Sequence, residues 1–300
     1  MDKVGIARGL FYYYYGDIWK FFLDYLKVPY IVSPNTNKEI MMKGIKKSND
    51  EMCLAFKTYL GHLCYLEDKC TYFLVPRIDN YGLDNQTCTN FIAAYDIVYN
   101  LFDKKVLNYN INLNKNETLK KGLVNIGMEL GKSKKECLDA YKYALNKARE
   151  KKSREITINL NKLNSTKTKI LLISHPYNIY DDLIGKDIIK YLEKNDVEVI
   201  FSDKFDEKIT NKLGTSLAPE LYFKYSKENV GAIMYAKDKI DGVIFLSAFP
   251  CGPDSLVNEL VMRKIKIPYI NIVLDDTASF TGTETRLESF IDMLRRVTND

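Results

Sequence analysis

The chain has 300 residues, of which 46% are hydrophobic and 28% are charged, and its formal net charge is +5. This length suits one large or two medium domains with a substantial core. The positive charge is spread along the chain without a dense basic block, which argues against a nucleic-acid partner. The first residues lack the pattern of a signal peptide, and no apolar run reaches the ~18 residues of a membrane span. We therefore expect a cytoplasmic protein with no membrane partner.

Two parts of the chain have the same predicted order of elements. Each begins with a short apolar strand, continues with an amphipathic helix and returns to a second strand that ends in serine, which is typical of a parallel sheet. In the first part these elements are residues 3–7, 18–26 and 28–33, with a later strand at 71–75. In the second part they are residues 169–173, 183–192 and 197–202, with later strands at 242–247 and 269–274.

The middle of the chain is predicted to be mainly helical. Helices are expected at 117–130 and 136–150, followed by a polar connector at 151–169. Three apolar residues alternate within that connector and predict a short edge strand: Ile156, Ile158 and Leu160.

These patterns predict an α/β protein made of two lobes with parallel sheets. The first lobe covers residues 1–150 and the second covers residues 165–300. The helical segments at 92–105 and 117–150 either complete the first lobe or bridge the two.

The segment Gly127–Ser133 resembles a phosphate-binding P-loop but has one residue too few between its glycines. It also follows a helical pattern instead of an apolar strand. The sequence predicts a helix that ends at Gly131, with Ser133 and Glu136 forming a capping box for the next helix. Neither predicted first strand is followed by the glycine pattern of dinucleotide-binding proteins.

The two histidines are too few for a three-histidine zinc site. His175 follows the first strand of the second lobe, where α/β proteins place ligands, so it is either a ligand-binding or a turn residue. His62 lies in a predicted helix and is interpreted as structural.

The six cysteines separate into two groups by their predicted positions. Cys64 and Cys137 lie in helices and are interpreted as packing residues, while Cys70 precedes a strand and stays ambiguous. The other three are predicted at helix starts: Cys53, Cys88 and Cys251. Candidate caps are acidic residues before Cys53, Asp84 or Thr87 near Cys88, and Asp254 or Ser255 after Cys251.

A helix start favours the thiolate, the form of cysteine that binds iron or zinc. Three such thiolates from separate loops would suit one metal or cluster site. The spacing has no strong signature by itself, so a role for these cysteines in the core stays open.

An ordered set of short motifs resembles a known family, the iron–sulfur proteins of the 2-hydroxyacyl-CoA dehydratase group, and specifically the activase-related proteins. The motifs span nearly the whole chain: residues 5–10, 51–53 with Lys57 and 61–62, 74–77, Cys88, 175–177, 249–252, 274–276 and 284–286.

The resemblance implies two Rossmann-like or flavodoxin-like lobes with a [4Fe–4S] cluster between them. Its implied ligands are Cys53, Cys88 and Cys251, and Cys64 or Cys70 stays open as a fourth ligand. Arg8, Lys57 and Arg77 are candidates for moderating the cluster charge or binding an anion, beside His175 as a candidate ligand-binding residue.

The resemblance also implies partners. Proteins of this group receive a low-potential electron from an ATP-hydrolysing activator, and this chain has no convincing nucleotide motif, so the activator would be a separate polypeptide. A second cluster-bearing subunit and an acyl-CoA substrate are further candidates.

Two hypotheses of different classes follow. In the first, the chain is a [4Fe–4S] redox protein, a component of a 2-hydroxyacyl-CoA dehydratase-like (lyase) or an ATP-dependent reductase system. In the second, it is a two-lobed small-molecule-binding module or noncatalytic scaffold without a cluster.

Overall fold

The computed structural model describes residues 2–276 and 280–297. The chain divides into two compact units, unit 1 (Met1–Lys152) and unit 2 (Ser153–Asp300). Each unit contains a four-stranded sheet whose strands are all parallel, which confirms the predicted α/β fold class. No helix among the described residues is long and apolar enough to cross a membrane.

Unit 1 follows the predicted strand–helix–strand order. Its elements are β1 (Val4–Ile6), α1 (Tyr12–Tyr25), β2 (Tyr30–Val32), α2 (Lys38–Lys47), α3 (Leu54–Leu66), β3 (Tyr72–Leu74), β4 (Arg77–Asn80), α4 (Thr89–Leu101), β5 (Lys105–Leu107), β6 (Asn110–Asn112), a 3-10 turn (Leu113–Lys115), α5 (Leu119–Glu129) and α6 (Lys134–Lys162), whose last residues belong to unit 2. The main sheet has the order β2-β1-β3-β5, and β4 pairs with β6 in a separate parallel ladder. Helix α1 begins earlier than predicted because the aromatic run at its start is part of the helix.

Unit 2 repeats this arrangement. Its elements are β7 (Thr168–Ile173), α7 (Pro176–Ile179), α8 (Lys186–Lys194), β8 (Val197–Phe201), α9 (Glu207–Leu217), α10 (Lys224–Ala236), β9 (Gly242–Ala248), α11 (Gly252–Met262), β10 (Tyr269–Leu274) and α12 (Phe280–Val297). The sheet order is β8-β7-β9-β10. In both units, therefore, the strands lie in the order second, first, third, fourth, which is the order of flavodoxin-like sheets.

Both faces of the unit 2 sheet are covered by helices. All seven residues of β9 are buried, and their side chains alternate between two hydrophobic clusters. Phe245 packs with residues of α10 and α11 on one face, while Ile244 packs with residues of α8 and α12 on the other. A strand buried on both faces reads as a continuous apolar run, and this is why the sequence identified β9 without alternation.

The predicted edge strand at 156–160 is wrong, because these residues continue α6 without a break. The segment contains no glycine or proline to end the helix, and it directly follows a run of charged residues with good helix propensity at 149–152 and 154–155. Ile158 is exposed, whereas Asn159 is buried and its side chain bonds the backbone at Phe201 and Lys204. The apparent alternation is therefore incidental to a helix that uses Asn159 to anchor the end of β8.

A pair of crossed helices precedes the third strand of each unit. In unit 1, a Cβ atom on Gly44 would lie 1.9 Å from the carbonyl oxygen of Lys57, and one on Gly61 would lie 2.0 Å from that of Ile40. Only glycine permits backbones to approach this closely. The contact fixes where α3 lies against α2.

Unit 2 has the same contact between α9 and α10. A Cβ atom on Gly214 would lie 2.1 Å from the carbonyl oxygen of Lys227, and one on Gly231 would lie 1.8 Å from that of Thr210. Lys227 and Lys57 thus occupy equivalent positions, and both are buried. The two units share strand order and helix packing in detail.

Candidate functional site

The three cysteines predicted at helix starts all lie there. Cys53, Cys88 and Cys251 are the N-cap residues of α3, α4 and α11, each with extended backbone angles and a half-buried side chain. The helix-start prediction is confirmed for each. Helix α11 directly follows β9, so Cys251 lies at the carboxyl edge of the unit 2 sheet.

The residues predicted to cap these helices are not the caps. Cys251 itself precedes α11, and Asp254 and Ser255 lie inside its first turn, because Pro253 already fits one of the first two helical positions. Near Cys88, the Thr87 hydroxyl donates to the carbonyl of Ile78 instead of capping α4.

In unit 1 the starts of α3 and α4 are neighbours. The side-chain amide of Asn90, in the first turn of α4, donates a hydrogen bond to Cys53 Sγ over 3.3 Å. Asn90 lies two residues after Cys88, so both candidate ligands of unit 1 belong to one small region. The sulfur of Cys53 accepts this bond, and a hydrogen bond to sulfur stabilises the thiolate.

The other three cysteines have packing roles. Cys137 is fully buried, and its sulfur packs against Gly127: a Cβ atom on Gly127 would lie only 2.5 Å from it. Cys64 lies on α3 roughly 16 Å along the axis from Cys53, given a rise of about 1.5 Å per residue. Cys70 donates to the carbonyl of Leu66 over 3.2 Å. Burial raises the pKa of all three thiols, that of Cys70 to about 11.

Arg8, Lys57 and Arg77 have different surroundings. The Arg8 backbone N–H donates to Ser33 Oγ over 2.8 Å, and its Nε donates to the Ser33 carbonyl over 3.1 Å. Lys57 is buried in the first turn of α3. Arg77 pairs with Asp96 over 2.5 Å at a partly exposed position, so its charge already has a partner.

His62 is structural, as predicted. It is fully buried in α3, and its Nε2 lies 3.0 Å from the hydroxyl of Thr36. Burial, with a smaller contribution from the charge of Arg8, lowers the pKa of His62 to about 3. The imidazole is therefore neutral at physiological pH.

His175 lies just after β7, as predicted, and is the N-cap residue of α7. Its Nε2 lies 3.1 Å from Asp254 Oδ1, and its ring stacks on Tyr177 with centroids 4.8 Å apart. Tyr225 contacts the same imidazole edge-on. These three contacts fix the position of the ring.

The Asp254 carboxyl is buried and ionised. Burial acts to raise its pKa, but the charge of His175 and hydrogen bonds from His175 and Cys251 outweigh burial and leave the pKa below its usual value. The sequence predicts Asp254 only as a helix cap, and its contact with His175 joins residues that are far apart in the chain.

The donor chemistry of the three N-cap cysteines suits iron, since thiolates are the usual ligands of iron–sulfur clusters. Across residues 2–276 and 280–297, however, no group of three or more His, Cys, Asp or Glu side chains is arranged to hold a metal ion. The residue types therefore fit a cluster, while a completed set of ligands is not found within the described residues.

Residues 3–205 match the family described as the CoA enzyme activase uncharacterised domain (DUF2229). The chain belongs to this family. The match includes Cys53 and Cys88 and ends before Cys251. No curated protein matches the chain.

Membership confirms the activase-related part of the predicted resemblance. The matched region covers unit 1 from residue 3 onward and the first two strands of unit 2. It contains the anion-binding candidates Arg8, Lys57 and Arg77, as well as His175, whereas Cys251 and Asp254 lie beyond it.

Proposed function

We propose that this chain is a redox component of a CoA-enzyme activation system, in which Cys53, Cys88 and Cys251 bind a [4Fe–4S] cluster. The family supports the activation system. The cluster is supported by one observation above all: each of the three predicted ligands is the N-cap residue of a helix, whereas the other three cysteines are in packing positions.

The chemistry of these positions favours ionised sulfur. The partial positive charge and unpaired N–H groups of a helix start stabilise a thiolate. A bound cluster would supply one-electron transfer, and hydrogen bonds to its sulfur ligands set its potential. The Asn90 amide has this role at Cys53, where it donates to the sulfur.

The partners follow from the same proposal. The segment Gly127–Ser133 forms a helix end and a capping box, with Gly131 at φ 82° and reciprocal bonds between Ser133 and Glu136. This supports placing ATP hydrolysis on a separate activator protein. The electron acceptor would be a 2-hydroxyacyl-CoA dehydratase-like or a reductase centre, with acyl-CoA as substrate and a second cluster-bearing subunit as candidate partner, all in the cytoplasm.

Arg8 and Lys57 are the better candidates for moderating the cluster charge or binding an anion in this proposal. Both belong to unit 1, which contributes two of the three cysteines. Arg77 is the weaker candidate, because its guanidinium already pairs with Asp96.

One observation favours a second function. The lack of a three-donor group among the described residues is what a cluster-free binding module or scaffold would have. The two functions differ in whether iron binds at all.

Anaerobic reconstitution separates them. The wild-type protein should bind about four irons and four sulfides per chain, the content of one cubane. Serine variants of Cys53, Cys88 and Cys251 should each lose most of the iron, whereas Cys64→Ser and Cys137→Ser should keep it. A wild-type protein that stays colourless would establish the cluster-free function instead, whereas equal iron loss in all five variants would contradict the assignment of the three ligands.

A further inference from the structure

The sheet of unit 2 has two outer strands, β8 and β10, and its two edges differ. The edge of β8 is covered by side chains of α6. Asn159 accepts the backbone N–H of Phe201 over 2.9 Å and donates to its carbonyl over 3.0 Å, while Lys162 donates to the carbonyl of Val199 over 3.0 Å. These bonds occupy the backbone groups that a further strand would need, so this edge is closed to another chain.

The edge of β10 has much less cover. The carbonyls of Pro268 and Leu274 accept backbone N–H groups at the two ends of β9, so the even-numbered residues of β10 face β9. Backbone groups alternate in direction along a strand, and those that face outward belong to the odd-numbered residues of β10: Tyr269, Asn271 and Val273. Within the described part of the chain, the hydrogen bond that reaches this edge comes from the Arg286 guanidinium to the Asn271 carbonyl over 2.6 Å. A carbonyl oxygen has two lone pairs, so this group can still accept an N–H from another strand.

Strand β10 also lacks the features that usually protect an exposed edge. Such strands are commonly short or charged, because both features discourage pairing with another chain. The outer strand β5 of unit 1 follows this rule, with three residues and an exposed lysine, Lys105, at its start. Strand β10 has six residues and no charged side chain, and Tyr269 and Val273 are 44% and 45% exposed on the same face. This edge therefore has the properties of one that pairs with another strand.

We propose that two copies of this chain pair antiparallel along β10, around a two-fold axis at Asn271, and join their two four-stranded unit 2 sheets into one sheet. This axis places Asn271 opposite its own copy and Tyr269 opposite the partner's Val273. The outward-facing backbone groups of both strands are then matched as donors and acceptors. An aromatic side chain directly opposite a β-branched one is a favourable cross-strand pair.

The charges on either side of β10 fit this arrangement. Lys266 before the strand and Asp276 after it are both exposed, and each lies five residues from Asn271. In an antiparallel pair the start of each strand lies beside the end of the other, so a basic flank meets an acidic flank at both ends. A parallel pair would place lysine beside lysine and aspartate beside aspartate. The charge pattern thus favours a second copy in the antiparallel orientation.

The first test measures the mass of the iron-free full chain in solution, by light scattering after size exclusion. Wild type should have twice the chain mass of 34.8 kDa. A wild type that is monomeric at every concentration up to its solubility limit overturns the inference. Because no iron is involved, that result leaves the proposed function untouched.

Two double variants test the register. Tyr269→Lys with Val273→Lys places lysine opposite lysine twice and should give a monomer, because like charges directly opposite each other repel. Tyr269→Asp with Val273→Lys adds as many charges but places aspartate opposite lysine, so this variant should stay dimeric. Met293→Lys, at an exposed position of α12, is the control and should also stay dimeric.

Circular dichroism checks that each variant is folded, which is expected because both substituted positions of β10 are nearly half exposed. A dimer that survives the two lysines overturns the inference. Loss of the dimer in both double variants overturns it as well, since the sign of the charge would then not matter.

Hydrogen exchange tests the same edge without a variant. Peptides that cover β10 are compared between a concentrated, dimeric sample of wild type and a sample diluted until it is monomeric. The three outward-facing amides of β10 should be protected only in the dimer, whereas amides of β8 should exchange equally in both samples. Equal exchange of β10 in the dimer and the monomer overturns the inference.

Discussion

Units 1 and 2 have the same scaffold but different residues at the starts of their helices. Both have a parallel sheet of the same strand order and a helix pair crossed at two glycines. Lys57 and Lys227 each lie one turn before the second glycine, and one further turn back lies the N-cap of the helix. That N-cap is Cys53 in unit 1 and Phe223 in unit 2.

This comparison separates two kinds of position. Where the backbone is fixed by packing, the two units share the residue type, as at Gly44 and Gly214 or at Ser33 and Ser202. At the helix starts the units differ, and the difference decides which of them has a pair of thiols. The shared scaffold thus determines where the helices begin, and the side chain at each helix start determines the chemistry available there.

The largest expected effect tests the shared scaffold. Gly44→Ala would place its Cβ atom 1.9 Å from a carbonyl oxygen, and Gly214→Ala would place its Cβ atom at the similar distance of 2.1 Å. Since backbone must move in either case, each substitution should lower the free energy of unfolding by roughly 3 kcal/mol. Chemical denaturation measures the loss. The two substitutions should therefore lower stability by similar amounts. Only Gly44→Ala shifts a helix that begins at a cysteine, so only this variant should also bind less iron on reconstitution.

The next effect is specific to unit 1 and concerns acid stability. The pKa of His62 is about 3 in the folded protein and about 6.5 when unfolded. The unfolded chain therefore gains a proton between these values that the folded chain does not, and stability falls as pH is lowered through that window. The loss is about 1.4 kcal/mol per pH unit, or roughly 2 kcal/mol between pH 6.5 and 5.

The acid effect is measured as the difference between wild type and His62→Gln in urea denaturation at pH 7 and pH 5. Glutamine does not titrate, so the variant should lose less stability on acidification than wild type. Equal losses in the two proteins would show that His62 accepts a proton in the folded state.

A smaller effect sharpens the comparison at the ends of the second strands. Ser33 Oγ accepts the backbone N–H of Arg8 over 2.8 Å, and Ser202 Oγ accepts that of Ser174 over 3.4 Å. Ser33→Ala should lower the free energy of unfolding by about 1–2 kcal/mol, because a buried donor is left unpaired. Ser202→Ala should lower the free energy of unfolding by less, because the hydrogen bond that Ser202 Oγ accepts is longer. The reverse order in thermal denaturation would contradict this equivalence.

The smallest effect concerns a feature found only in unit 1, the capping box before α6. Ser133→Ala removes the side chain that accepts the Glu136 N–H over 3.2 Å. The expected loss of stability is about 1 kcal/mol. Thermal denaturation should show a small decrease, and reconstituted iron should be unchanged. Loss of nucleotide binding, instead of a small loss of stability, would support the P-loop interpretation that the geometry disfavours.

The sequence predicts the fold well where its signal is local. Short apolar runs are enough to identify β7, β8 and β9. The helix end at Gly131 and the capping box after it are likewise identified from neighbouring residues. The edge strand at 156–160 fails because three alternating apolar residues are too few to distinguish a strand from a helix whose packing depends on distant β8.

The candidate site is predicted in part. The helix-start position of Cys53, Cys88 and Cys251 follows from local pattern. The Asn90 bond to Cys53 and the contact of His175 with Asp254 join residues far apart in the chain, so nothing in either segment alone indicates them. The sequence alone does not distinguish a ligand-binding from a turn role for His175, because its partner Asp254 lies 79 residues away.

The central claim is that the N-cap cysteines together hold one iron–sulfur cluster, and Mössbauer spectroscopy of ⁵⁷Fe-reconstituted protein tests it most directly. The account predicts the spectrum of a single [4Fe–4S] cluster in wild type, absent in Cys53→Ser, Cys88→Ser and Cys251→Ser and present in Cys64→Ser. A wild-type spectrum that contains only adventitious mononuclear iron, after reconstitution without oxygen, would contradict it.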